Sequence, residues 1–159
     1  MTHADWLREA VHISNRSKDP STRTGAILVN YGQVIGRGYN QMPTDLQDTD
    51  ERWNDRDLKL SIVIHAEMDA LAQAARLGHG REVRHAALYN VAVNAVTGKP
   101  WGFHGACTRC AAHLIHAGIS CIVSPYGSLV PKRWEADLAL AETWLCEAGI
   151  ELIQVDISG

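Results

Sequence analysis

The C-terminal part of the chain has a segment order that few folds allow. Residues 119–124 are an apolar run rich in β-branched side chains, residues 132–148 repeat apolar side chains at helical spacing, and residues 150–155 are another apolar run. A strand, a long helix and a second strand form a crossover, which is almost always right-handed and joins parallel strands. The sequence therefore predicts an α/β fold whose last two strands are parallel.

The N-terminal part predicts a helix followed by an antiparallel hairpin. Thr2 and Asp5 have the spacing of a capping box, and residues 3–16 then carry apolar side chains at helical spacing. Residues 25–29 and 33–39 are β-branched runs separated by Asn-Tyr-Gly, which is a hairpin signal.

The middle of the chain alternates helix and strand patterns. Residues 66–77 are rich in alanine and apolar nearly all round, so this helix should be buried; residues 86–93 predict a strand and residues 108–117 a helix. With the other elements they predict a three-layer α/β/α sandwich around a mixed five-stranded sheet, in one domain covering residues 1–159.

Two long segments are predicted to be functional loops. Residues 40–61 are polar and acidic, and residues 97–106 contain glycine, proline and aromatic side chains. Connections of this length in a compact domain often contact a ligand or a partner. In the second loop, Trp101 and Phe103 could stack on a base, shield the site from solvent or form an oligomer contact.

The composition limits what the fold can bind. Of the 159 residues 46% are hydrophobic and 21% charged, and the formal net charge is −3. This balance argues against binding a long polynucleotide through many phosphates. We expect no membrane partner and a cytoplasmic protein, because no apolar run could cross a bilayer and no signal-peptide pattern is present. Four cysteines with only one close pair do not form a disulfide framework.

Four polar residues stand where the two predicted loops enter helices. His65 and Glu67 begin one helix, and Cys107 and Cys110 begin the other. One imidazole and two thiolates supply three of the four tetrahedral ligands of Zn²⁺ and leave the fourth position for water, as in catalytic zinc sites. The positive end of a helix dipole favours the thiolate form of such ligands. We therefore predict a metal site formed by His65, Cys107 and Cys110.

Glu67 is not needed as a ligand and is free to move protons. Beside a zinc-bound water, whose pKa the metal lowers, a carboxylate can accept a proton and pass it on. This favours a hydrolase with Glu67 as its catalytic residue. The alternatives are a structural zinc site, a redox pair and four buried residues without a metal. The last leaves a histidine and a glutamate unexplained at the start of an apolar helix.

Further motifs extend beyond these residues. Residues 16–22 read RSKDPST and lead to GAILV, residues 38–43 read GYNQMP, residues 65–70 read HAEMDA, and HAGI follows the cysteine pair at 116–119. Over most of the chain these motifs resemble the cytidine deaminase superfamily, and within it they are most similar to the deoxycytidylate (dCMP) deaminases. The H-x-E and C-x-x-C pairs are also the signature of zinc deaminases.

The resemblance implies a reaction and a set of roles. Zinc hydroxide would attack C4 of cytosine in dCMP, with Glu67 as the proton shuttle, to give dUMP and ammonia. Asn40 would hydrogen-bond the sugar, and the backbone N–H of Ala66 would meet the pyrimidine carbonyl. The family also implies a homo-oligomer, either a hexamer or a dimer, with dCTP and dTTP as effectors.

A nucleotide substrate also needs positive charge for its phosphate. Five basic residues lie on segments that could reach the pocket, and the sequence does not choose among them: Lys18, Arg23, Arg52, Arg56 and Arg109. We take Arg23 and Arg109 as candidate substrate contacts. Tyr126 is a third candidate because it follows the fourth strand, at the edge of the sheet where open α/β folds bind ligands, although it could equally close the core.

Other functions stay open. Ala106 replaces the usual proline before the first cysteine, and the 95–105 loop is long for a dCMP deaminase. The substrate could therefore be another small cytosine or guanine compound, such as a nucleoside, dCTP or a modified nucleotide. An editing deaminase for tRNA or single-stranded DNA would share the zinc centre but should have a basic face. A non-catalytic zinc-binding module would make Glu67 incidental.

Overall fold

A computed structural model describes residues 1–159. The strands are β1 (Thr22–Asn30), β2 (Gln33–Tyr39), β3 (Ala87–Asn94), β4 (Trp101–Gly102), β5 (Cys121–Pro125), β6 (Ser128–Leu129) and β7 (Glu151–Val155). The helices are α1 (His3–Ser14), α2 (Asp50–Asn54), α3 (Arg56–Ile62), α4 (Ala66–Arg76), α5 (Gly80–Val83), α6 (Thr108–Ala117) and α7 (Lys132–Glu147).

The main sheet has five strands in the order β2-β1-β3-β5-β7. Strand β1 is antiparallel to both β2 and β3, whereas β3, β5 and β7 are parallel to one another. The predicted mixed five-stranded sheet and the parallel last pair are therefore confirmed. None of the helices combines the length and the apolar character needed to span a membrane.

Helices cover both faces of the sheet, because side chains alternate between the faces along each strand. In β3, Leu88 packs with apolar residues of α4, α6 and α7, whereas Tyr89 and Val91 pack with α1. The result is the predicted α/β/α sandwich, in which the layer formed by α4, α6 and α7 contains the predicted metal-ligand motifs.

Several elements differ in extent from the sequence prediction. Helix α1 begins with the predicted capping box but ends at Ser14, two residues early. Strand β1 begins at Thr22, earlier than predicted, because its pairing with β3 starts there and continues to Val29. Helix α4 is buried only on one side, since Ala72 and Ala75 are exposed.

The two segments predicted to be irregular contain short elements. The 40–61 segment contains α2 and all but the last residue of α3, and the side chains of Thr49 and Asp55 cap the starts of these helices. Trp53 of α2 is buried against Met42 and Val63 in a small cluster of its own. In the 97–106 segment, β4 pairs with β6 in a second, two-stranded parallel sheet.

Glycines bring α4 close to the sheet. A Cβ atom on Gly38 of β2 would lie 2.3 Å from the carbonyl oxygen of Ala66 and 2.4 Å from the nitrogen of Ala70. A Cβ atom on Gly36 would lie 2.3 Å from the carbonyl oxygen of Ala70. The first turn of α4 is therefore held against β2, and this fixes the place of His65 and Glu67.

Candidate active site

The starts of α4 and α6 carry the predicted metal ligands. His65 is the N-cap residue of α4 and Cys107 is the N-cap residue of α6, each with extended backbone and no side-chain capping bond. Their side chains are thus free for another partner. Asp137 of α7 caps α6 instead, since its carboxylate accepts hydrogen bonds from Thr108 N at 3.0 Å and from Thr108 Oγ1 at 2.6 Å.

The structure brings the three predicted ligands together. His65 Nδ1 lies 3.4 Å from Cys107 Sγ and 3.3 Å from Cys110 Sγ, and the three ligand atoms lie within 4.8 Å of one another. Tetrahedral zinc, with bonds of about 2.3 Å to sulfur and about 2.05 Å to nitrogen, separates such atoms by about 3.6 Å. The chemistry and the spacing of the donor set both fit zinc.

The pKa values of the Cys107 and Cys110 thiols are shifted in opposite directions. The pKa of Cys107 lies far below its usual range because the Cys110 thiol donates a hydrogen bond to its sulfur, and His65 adds a further hydrogen bond. The pKa of Cys110 is raised by the same contact and by burial. Hydrogen bonding to Cys107 raises the pKa of His65. A metal that binds all three residues must displace these protons.

Glu67 is buried beside this donor set, with 8% of the residue exposed. Its Oε1 accepts a hydrogen bond from Asn90 Nδ2 at 3.4 Å. The Asn90 amide in turn contacts Ser124 and the carbonyl of Gly105. Neither Asn90 nor Ser124 was predicted as a site residue, although an asparagine within an apolar strand pattern is a visible signal in the sequence.

A cavity of about 320 Å³ opens next to the donor set. His65, Glu67 and Cys107 form part of its wall, and Phe103 and Trp134 add aromatic surface. Its volume falls at the lower end of the range of about 300–1,000 Å³ for small-molecule sites. Trp101 is not in this wall and packs edge-on against Trp134, with ring centroids 5.7 Å apart.

Asn40 lines the cavity as predicted for a substrate contact. Its amide also stabilises the protein, because Oδ1 accepts a hydrogen bond from Thr24 N at 2.8 Å and Nδ2 donates one to the carbonyl of Thr22 at 2.9 Å. Ala66, whose backbone N–H was the other expected contact, is the first residue of α4 and follows His65 directly.

The structure does not place Arg23, Arg109 or Tyr126 on the cavity wall. Arg23 lies between Thr22 and Thr24, which both line the cavity, so strand alternation directs it to the opposite face. Arg109 is exposed on α6 and donates a hydrogen bond to the carbonyl of Leu60 at 3.3 Å. Tyr126 is 59% exposed.

Three other cations line the cavity: Arg56, Lys59 and Arg133. Only Arg56 was among the basic residues considered from the sequence. Lys59 and Arg133 lie on α3 and α7, which are far apart in the chain, and only folding brings the two residues to one cavity. No local sequence signal marked them.

Residues 1–125 match the family model for the cytidine and deoxycytidylate deaminase zinc-binding region. The match includes the whole donor set, Glu67 and most of the sheet. The chain therefore belongs to this deaminase family.

Relatives and a solved structure agree with the family. An uncharacterized deaminase in the luxG 3′ region of Aliivibrio fischeri is 28% identical over 151 residues, covering 92% of this chain and 88% of that protein. The deoxycytidylate deaminase of Mus musculus is 32% identical over 116 residues, covering 69% of this chain but only 56% of that protein. A crystal structure of dCMP deaminase from the cyanophage S-TIM5, in complex with dCMP and dUMP, superposes with a TM-score of 0.69 over 95% of this chain and 94% of that chain, at 17% identity. At that identity the likeness concerns the fold alone.

Proposed function

We propose that the protein is a zinc-dependent hydrolase that converts dCMP to dUMP and ammonia. The observation that carries this proposal is the position of buried Glu67 beside the His65, Cys107 and Cys110 donor set, at the wall of one cavity. The family to which the chain belongs, and the relatives named deoxycytidylate deaminase, support a cytosine nucleotide as the substrate.

His65, Cys107 and Cys110 would hold the metal. Zinc in such a site lowers the pKa of a ligand water to about 7 and so supplies the nucleophile for C4 of cytosine. Glu67 would take one proton from the attacking water and give it to N3 of the ring, and would then move the second proton, from the new hydroxyl on C4, to the departing amine. Water is consumed, the C4–N bond breaks, ammonia leaves and C4 becomes a carbonyl carbon.

Other residues of the cavity would orient the nucleotide. We assign Asn40 to the sugar and the Ala66 backbone N–H to the pyrimidine carbonyl, as the family resemblance implies. Phe103 and Trp134 would cover the base and exclude water.

We assign the substrate phosphate to Arg56 and Arg133. Lys59 is the third basic residue on the cavity wall, but its charge is neutralised by Asp19, which lies 3.2 Å away. Arg56 and Arg133 are exposed at the cavity and form no ion pair within the protein. Guanidinium groups bind phosphate through paired charge-assisted hydrogen bonds.

Ammonia release by the zinc-loaded protein tests the proposal directly. The compounds offered are dCMP, CMP, deoxycytidine, dCTP and 5-methyl-dCMP, alongside the Glu67→Ala variant. We expect dCMP to have the highest kcat/KM, and Glu67→Ala to lose about 10²- to 10⁴-fold in kcat while it still binds about one zinc per chain. Bound zinc without turnover of any of the five compounds would refute the proposal.

Another small cytosine or guanine compound is the second candidate substrate. The uncharacterized deaminase of Aliivibrio fischeri aligns over most of both chains, whereas the deoxycytidylate deaminase of Mus musculus aligns over about half of its own length. The relatives therefore do not determine which base the enzyme deaminates. Turnover of a different compound in the same assay would identify this case. The homo-oligomer and the dCTP and dTTP effectors stay predictions, which size-exclusion chromatography and assays with added dCTP or dTTP would test.

A further inference from the structure

Asn90 is a polar residue in the middle of a largely apolar strand. It lies in β3 between Tyr89 and Val91, and none of its surface is exposed. Burying an amide is costly unless its donors and acceptor are all paired. The place of Asn90 in this strand therefore depends on the partners that its side chain finds.

The partners of Asn90 come from three separate segments. Its Oδ1 accepts a hydrogen bond from the hydroxyl of Ser124 in β5, which is also fully buried. Its Nδ2 donates to the carbonyl of Gly105 at 2.8 Å and to Glu67 Oε1 at 3.4 Å. The Gly105 carbonyl and the Glu67 carboxylate can only accept hydrogen bonds, so both must face the amide nitrogen of Asn90. The amide oxygen of Asn90 then accepts the hydrogen bond from the Ser124 hydroxyl. One orientation of the amide satisfies all three contacts.

Through these contacts, Asn90 joins Glu67 to the segment that carries a metal ligand. Gly105 stands two residues before Cys107 and has a positive φ of 88°, a conformation that favours glycine. Cys110 also lies next to Glu67, since this carboxylate is one of the causes that raise the pKa of Cys110. A thiolate ligand has no proton to donate, so with metal bound Asn90 is the side chain that still donates a hydrogen bond to Glu67.

We propose that Asn90 is a positioning residue that holds the Glu67 carboxylate in line with the metal ligands, and that Ser124 keeps the Asn90 amide in the required orientation. The proposal rests on the deaminase function proposed above. A glutamate side chain has several rotamers, and general acid–base catalysis requires the carboxylate within hydrogen-bonding reach of the atoms that gain and lose protons. A displacement of about 1 Å can lower the rate of such a step by about 10²-fold.

Kinetics separate positioning from a purely structural role. In the zinc-loaded Asn90→Leu variant, we expect kcat for dCMP to fall roughly 10- to 100-fold, with KM within about twofold and about one zinc per chain, because a hydrogen bond to a charged group is lost. Ser124→Ala keeps Asn90 and leaves the Gly105 contact in place, so its kcat should fall less, by about three- to tenfold.

Val91→Ala is the matched control. Val91 is buried next to Asn90 in the same strand, but it lies on the opposite face of β3 and packs against α1, away from the donor set. This variant should lower Tm but leave kcat per folded, zinc-loaded chain unchanged. If Asn90→Leu and Ser124→Ala behave like Val91→Ala, with a lower Tm and normal kcat, the proposal is overturned.

A second readout does not depend on turnover. In zinc-loaded protein with ¹⁵N-labelled asparagine, the side-chain amide signals of Asn90 are identified by their loss in Asn90→Leu. The Glu67→Gln substitution should move one Asn90 amide proton upfield and leave Asn94, which bonds to its own loop, unchanged. An unmoved Asn90 signal would overturn the proposal. If the wild-type protein leaves dCMP unchanged, the proposed function fails, and this measurement still decides whether Asn90 holds Glu67.

Discussion

The ammonium group of Lys59 lies 3.2 Å from Oδ1 of Asp19, and only 8% of each side chain is exposed. Lys59 also donates a hydrogen bond to Ser21 Oγ at 3.3 Å. The other carboxylate oxygen of Asp19 accepts a hydrogen bond from Asn40 Nδ2 at 3.3 Å. This buried ion pair therefore connects α3 to the start of β1 and supports Asn40 at the cavity wall.

Removing one member of the pair should destabilise the protein strongly. Lys59→Met leaves the Asp19 carboxylate buried without its cation, which costs about 3–5 kcal/mol. The double variant Asp19→Asn with Lys59→Met should recover much of this loss, because no unpaired charge remains. Unfolding in urea measures both effects.

Lys18→Met is the control for this prediction. Lys18 pairs with Asp48 at 3.0 Å, but 65% and 37% of the two side chains are exposed. Water and salt screen such a pair, so its loss should change the free energy of unfolding by about 0–1 kcal/mol. A Lys59→Met variant as stable as Lys18→Met would show that the buried pair contributes little.

Arg56 and Arg133 at the cavity should give the enzyme its preference for a nucleotide over a nucleoside. Arg56→Ala and Arg133→Ala should each raise KM for dCMP by about tenfold, as expected for loss of a charge-assisted hydrogen bond. The kcat/KM for deoxycytidine, which has no phosphate, should stay within about twofold of the wild type. Arg76→Ala, at the exposed end of α4 and outside the cavity wall, serves as the control. Equal losses for dCMP and deoxycytidine would contradict the assignment.

The sequence was sufficient to predict the elements that depend on local patterns. The crossover near the C-terminus, the hairpin formed by β1 and β2, and the two helix starts with His65 and Cys107 all follow from periodicity and residue type. The basic residues that line the cavity could not be predicted from periodicity and residue type. Arg23 is close in sequence to cavity residues, but side-chain alternation in β1 directs it to the other face, whereas Arg133 reaches the cavity from α7.

The long segment after Asn40 was harder to predict because its helices are short. Helices α2 and α3 have five and seven residues, too few for a clear apolar repeat. Their N-caps, Thr49 and Asp55, were the available signals. Lys59 could not be identified from the sequence, because a lysine on a short polar helix is usually exposed and only the contact with Asp19 explains its burial.

Gly38→Ala should impair both stability and catalysis. The new Cβ atom would lie 2.3 Å from the Ala66 carbonyl oxygen, so the first turn of α4 must move away from β2 and carry Glu67 with it. Overpacking of this kind costs about 1–3 kcal/mol, and the displaced carboxylate should lower kcat by about tenfold or more. Gly80→Ala is the control, because its Cβ atom would meet nothing within 4 Å. A Gly38→Ala variant with normal Tm and kcat would show that α4 is free to shift.

Metal removal should turn Cys107 into a reactive thiolate. Contact with the Cys110 thiol lowers the pKa of Cys107, and that contact together with burial raises the pKa of Cys110. At about pH 6, above the lowered pKa of Cys107 and below that of an ordinary thiol, iodoacetamide should modify Cys107 at least about ten times faster than Cys110 in chelator-treated protein.

The same pKa shift sets the pH dependence of this reaction. Alkylation of Cys107 should vary little between about pH 8 and about pH 6 and decline only as the pH falls through its lowered pKa, because the thiolate is the nucleophile. Zinc should protect Cys107 and Cys110 together, and peptide mapping by mass spectrometry measures each site. Cys121, whose pKa is raised by burial, is the internal control for slow modification. Equal rates at Cys107 and Cys121 in the metal-free protein, or no protection by zinc, would contradict a shared site for His65, Cys107 and Cys110.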